Sequence, residues 1–196
     1  MKFTKIPTNT FNHLQMNAGF LTTEFAPATG TATAPMAATT GGLTFTAKPE
    51  FTDFGDDIDN CPKNTKELKR ITGYEVTISG NMLTIDHATC KKLLAAATVT
   101  NPESTGAPYK FEPSRTLQSS DFSDLWFVGD YSSDNTETSG GFVAIKLINA
   151  LNTGGFQLTT TDKGKGQFAF TFTGHTSIAT PDAVPFELYL KETADA

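Results

Sequence analysis

Two cysteines, three histidines and one tryptophan are all that the 196 residues supply of those types, and each shortage removes a class of chemistry. Cys61 and Cys90 form no CxxC pair, and two thiols with the scattered His13, His87 and His175 do not make a four-ligand zinc site. Only His87 and Cys90 fall close enough to share a helix face. Met1 to Pro7 has no apolar core of the secretory kind, so the thiols are expected to stay reduced in a cytosol-like compartment. Bases are also short: 15 Lys+Arg face 21 Asp+Glu, for a net charge of −6. That balance argues against a coat for DNA, which needs many cations to displace phosphate counterions. No stretch approaches the roughly 20 unbroken apolar residues of a membrane span. Disorder is excluded by the opposite feature, a 38% hydrophobic share with 16 Phe.

Catalytic patterns are missing as well. There is no GxSxG elbow for a nucleophilic serine. Lys163-Gly164-Lys165-Gly166 fits neither a P-loop nor a dinucleotide fingerprint, because Ala169 stands where the third glycine belongs. A helix-flanked calcium loop begun at Asp57 fails at Cys61, Pro62 and Leu68, the fifth, sixth and twelfth positions. Adjacent acids as a glycosidase pair have no supporting pattern around them. The expectation is a protein that is not an enzyme and carries no cofactor and no metal; calcium held in some other way is left open.

Threonine is the commonest residue, and with phenylalanine it favours pleated surfaces. Strands are expected at 19–25, 43–48, 73–85, 122–130, 142–148, 156–161, 167–173 and 186–190. In 167–173, Phe168, Phe170 and Phe172 point one way and small uncharged residues the other. Residues 142–148 are apolar on both faces except at Lys146, as in a strand covered on both sides. Asp86 is a fitting N-cap for a helix over 87–97, with Cys90, Leu93, Leu94 and Ala97 as its apolar stripe. Mobile loops are expected at about 26–42, which has no charge, and at 101–118. A single domain follows: mainly β, a β-sandwich or partly rolled barrel of about eight strands with one flanking α-helix.

The oddest segment is 50–70. Glu50, Asp53, Asp56, Asp57 and Asp59 come without a base, and Lys63, Lys66, Lys69 and Arg70 follow with one acid, Glu67. A charge dipole is thus written along the chain.

This run, Pro49 to Lys69 (PEFTDFGDDIDNCPKNTKELK), resembles a signature of the major tail proteins of long-tailed phages. The resemblance continues through Asp121–Ser132, Gly140–Asn149, Thr153–Phe156, Asp162–Phe170, Phe172–His175 and Val184–Glu187, spanning about residues 43–190. It implies a tail-tube subunit of the virion, a β-sandwich-type fold that forms hexameric rings stacked into a hollow tube in the host cytoplasm. Its partners would be copies of itself, a tape-measure protein, and the tail terminator and distal tail proteins. Genome DNA would pass without specific binding, which the net acidity suits. Asp53, Asp56, Asp57, Asp59, Lys63, Lys66, Lys69 and Arg70 would then pair between subunits or stacked rings, or the acids would face the lumen. The uncharged 26–42 loop would order only on stacking. Two alternatives remain: the inner tube of a contractile tail or injection particle, and a carbohydrate-binding β-sandwich with Trp126 and Tyr131 as its platform.

Overall fold

The computed structural model describes residues 6–7, 10–101, 104, 106–131 and 140–192. Most of the N-terminal stretch Met1–Pro7, part of the 101–118 connection, Ser132 of one resemblance block and most of the polar tail lie outside them. The strands are β1 (Gln15–Thr22), β2 (Phe25–Ala26), β3 (Thr31–Ala32), β4 (Thr39–Asp53), β5 (Lys69–Met82), β6 (Ala97–Thr100) and β7 (Lys110–Pro113). They continue with β8 (Ser123–Tyr131), β9 (Gly141–Asn152), β10 (Gln157–Thr159), β11 (Gln167–Thr173) and β12 (Phe186–Lys191); the helix α1 is His87–Leu93.

Eight strands form one antiparallel sheet in the order β1-β8-β9-β11-β5-β4, with β12 added to β9 and β10 to β11. The long β9 belongs to both halves. Along Phe142–Leu147 it pairs with β12, and at Leu151 and Asn152 it passes to β11. The sheet curls at this handover until its end strands, β1 and β4, come into contact. The fold is therefore mainly β and partly rolled, with eight strands in its main sheet as expected. Two short ribbons, β2–β3 and β6–β7, are additional.

Burial of alternating residues explains the curl. Val76, Ile78 and Met82 of β5 and Phe170 and Phe172 of β11 meet Leu21, Leu125 and Leu147 from the other half in one core. A second cluster lies on the outer face of β8 and β9, where Phe25 and Ala32 of the β2–β3 ribbon cover Trp126, Val128, Ala144 and Phe142. Phe142 and Ala144 thus join one cluster, and Leu147 and Ala150 the other. This two-sided burial is what the unalternating pattern of 142–148 predicts.

The 26–42 stretch differs from the expected open loop. It contains β2–β3 and the start of β4, and Phe25 anchors it at 5.5 Å from Trp126 and 5.1 Å from Phe142. Its backbone is also tied down: Met36 N–H donates to Leu21 O at 2.8 Å, and Thr89 Oγ1 donates to Met36 O at 3.3 Å. Likewise, 101–118 includes β7.

Helix α1 begins as expected, with Thr89 N–H donating to Asp86 Oδ1 at 2.7 Å. It ends three residues past Cys90, not at Ala97, because Ala95 takes the left-handed conformation (φ 61°) and the chain turns into β6. The buried face is Thr89 and Leu93, with Cys90 and Leu94 half-buried and Ala97 in β6. Both cysteines are free. Among the described residues no helix is long and apolar enough to cross a membrane.

Candidate self-assembly surfaces

The charge-dipole segment is the end of a hairpin that outruns the body of the sheet. Asp53 lies opposite Lys69, Thr52 opposite Arg70 and Phe51 opposite Ile71 in the β4–β5 ladder. The strand residues of the dipole therefore face each other within one chain, and the charge pattern of the sequence is folded back on itself.

The acids and bases have different fates. Asp53 is half-buried and builds the tip: its Oδ1 accepts from Gly55 N–H at 2.9 Å and its Oδ2 from Asn64 N–H at 3.0 Å. Asn60 and Asn64 both adopt positive φ, 59° and 61°, the conformation that short amide side chains tolerate best in tight turns. Lys69 donates to Asn64 Oδ1 at 3.2 Å and lies over the Phe51 ring at 5.2 Å. Arg70 donates to the Glu67 and Lys69 carbonyls at 3.0 and 3.3 Å. Lys66 pairs with Glu67 at 3.4 Å, an exposed pair of small energetic weight. Asp56, Asp57, Asp59 and Lys63 are exposed. Among the described residues no three His, Cys, Asp or Glu side chains gather as a metal ion requires.

Apolar exposure on this arm was not read from the sequence. Within β4, Phe51 has the parity of Phe45 and Ala47, residues packed on the core. The core-facing side of the hairpin thus continues past the end of the body, where no second layer covers it. Phe51 is 55% exposed and Ile71 50%, and the tip adds Phe54 at 59% and Ile58 at 52%. The available signal was the alternation of β4 carried on through Pro49 into the acids.

A second apolar strip lies on β12, which is paired along one edge, to β9. Leu188 and Leu190 are 56% and 49% exposed there. Paired on one side and apolar, such a strand is an open template for another chain.

The outer face of β4, β5 and β11 has the opposite character. Thr44, Ser79 and Thr171 form one cross-strand row; Thr46, Thr77 and Thr173 form the next. Thr153 Oγ1 and Thr173 Oγ1 share a hydrogen bond of 2.6 Å. No charge interrupts the two rows, and the first charged pair along the hairpin is Lys48 opposite Glu75.

The aromatic platform expected of Trp126 is corrected by its burial. It is 7% exposed, covered by Phe25, with Tyr189 at 5.6 Å and Lys146 Nζ at 5.8 Å from its ring, so no face is left for a sugar. The Tyr131 side chain lies outside the described residues. Asp124 accepts from Lys146 at 2.9 Å, and this bond raises the Lys146 pKa above its usual value. His175 is structural: its Nδ1 meets Asn149 O at 3.1 Å and its ring lies edge-on to Phe122 at 5.3 Å.

Compared with models of known protein families the sequence gives no match, and compared with curated proteins it gives none either.

Proposed function

We propose that this chain is a structural subunit that joins copies of itself into rings stacked as a hollow tube, the tail tube of a long-tailed phage virion. The observation that carries the reading is the exposed apolar face of the β4–β5 arm. Four large apolar side chains held half in water on a built, hydrogen-bonded hairpin are an interaction surface rather than a lapse in packing. The one-edge-paired β12, with Leu188 and Leu190, supplies a separate lateral surface, and a head-to-tail contact that closes on itself makes a ring.

The hydroxyl-lined rows of β4, β5 and β11, uncharged as far as the Lys48–Glu75 pair, suit the wall of the bore. Hydroxyl rows without Lys or Arg offer phosphates no counterion release, and Glu75 stands opposite the one lysine that follows them, Lys48, so a duplex slides instead of sticking. Six copies to a ring, the tape-measure protein inside it, and terminator and distal tail proteins at its ends come from the resemblance. Asp53 keeps a local role in shaping the arm, and the exposed Asp56, Asp57, Asp59 and Lys63 contribute to contacts between copies. No step of chemistry is assigned to any residue. Sedimentation of the purified protein across a concentration series tests the proposal: growth to large species supports it, and a monomer at every concentration refutes it.

A further inference from the structure

The β4–β5 arm and α1 lie at opposite ends of one hairpin. The arm tip joins Asp53 to Lys69, whereas β5 ends at Met82, four residues before the Asp86 cap. With β5 running 14 residues at about 3.3 Å each, the two ends are roughly 45 Å apart. Beside α1 is an open cleft of about 580 Å³, with His87 and Lys91 on the helix side and Thr98, Asn101, Ser114 and Ser120 among its other walls. Lys91 has no ion pair among the described residues, and the His87 ring stacks on Tyr109 at 4.6 Å.

We propose that this cleft receives the arm tip of a second copy of the chain, with Ile58 seated in it and Asp57 and Asp59 against Lys91 and His87. The inference rests on the self-assembly reading above and names the acceptor for the arm. Charge and volume select the cleft among the described cavities. The one beside His175 has about 520 Å³ and the one around Met36 and Ile85 about 430 Å³, and neither is lined by a lysine or arginine that an acidic tip could meet. The space at Lys92 and Ser123, about 10 Å³, holds no side chain. The own-chain alternative for the tip is its shank, but Lys69 and Arg70 there are already engaged with Asn64, Glu67 and the Phe51 ring. A donor at one pole and its acceptor at the other make a heterologous contact that does not close, and such a contact propagates as a stack. Asp121, which also lines the cleft, accepts from Gln118 N–H at 2.8 Å and so stays turned to its own loop.

Charge reversal tests this. Lys91→Glu, and separately Asp57→Lys with Asp59→Lys, should each raise the concentration needed for stacking by about tenfold or more, as unlike charges become like. All three changes in one chain should restore it. Thr98→Trp, which fills the cleft without altering charge, should block stacking while circular dichroism stays unchanged. Wild-type assembly unaffected by the reversals, or no restoration in the combined variant, overturns the cleft assignment and leaves self-assembly standing. A wild-type chain that never assembles overturns both.

Discussion

Asp86 shows how much one side chain can set. Its carboxylate closes the first turn of α1 by accepting from Thr89 N–H, and that bond holds its pKa below the ordinary value of 3.8. Because the folded pKa is depressed, the stabilisation is present above pH 3.8 and is lost as pH falls through the folded value. Asp86→Ala should therefore destabilise the monomer by about 1 kcal/mol at neutral pH. The difference from wild type should shrink in acid, as read from thermal melts at both pH values. A gap that stays constant into acid would show that the cap bond is not its source. Leu93, fully buried on the same helix, is a packing residue: Leu93→Ala should destabilise by about 2–5 kcal/mol. By contrast Lys92, half-buried and donating to Ser123 Oγ at 2.5 Å, has its pKa lowered by desolvation and ties the helix to β8.

At the scale of elements, the arm separates folding from assembly. Phe51→Ser with Ile71→Ser removes exposed apolar surface and leaves the core intact. The monomer should melt within about 0.5 kcal/mol of wild type, while large species in sedimentation should be lost. A pair of changes that unfolds the monomer would show that these side chains are part of its core. How far such elements can be read in advance depends on where their signals lie. The Phe168-Phe170-Phe172 alternation of β11, the Asp86 cap and the double-sided β9 are local patterns that burial then enforces. The end of α1 was hidden because Ala95, not a glycine, takes the positive φ. The length of β4 was hidden by Pro49 and the acids beyond it. An edge strand has one row of N–H groups without a partner, so proline fits there, and β4 runs through Pro49 to Asp53. The β2–β3 ribbon depends on Phe25 meeting Trp126, a contact between residues a hundred positions apart that no local pattern encodes. Of the candidate site, the charged residues were visible and the uncovered Phe51, Phe54, Ile58 and Ile71 were not, since exposure is a property of the whole fold.

At the scale of the whole molecule, the bore of the proposed tube must avoid holding a polyanion. In that tube the rows of Thr and Ser hydroxyls would give a passing duplex no fixed cation to hold. Thr46→Lys with Thr77→Lys places two lysines side by side on that face, and tubes of this variant should retain DNA in a salt-dependent way that wild-type tubes do not. Equal retention by both would mean that another face lines the bore. The most direct test of the central claim is negative-stain electron microscopy of the purified wild-type chain at rising concentration. The account predicts annular particles with an open centre that lengthen into tubes; a field of single compact monomers at every concentration would contradict it.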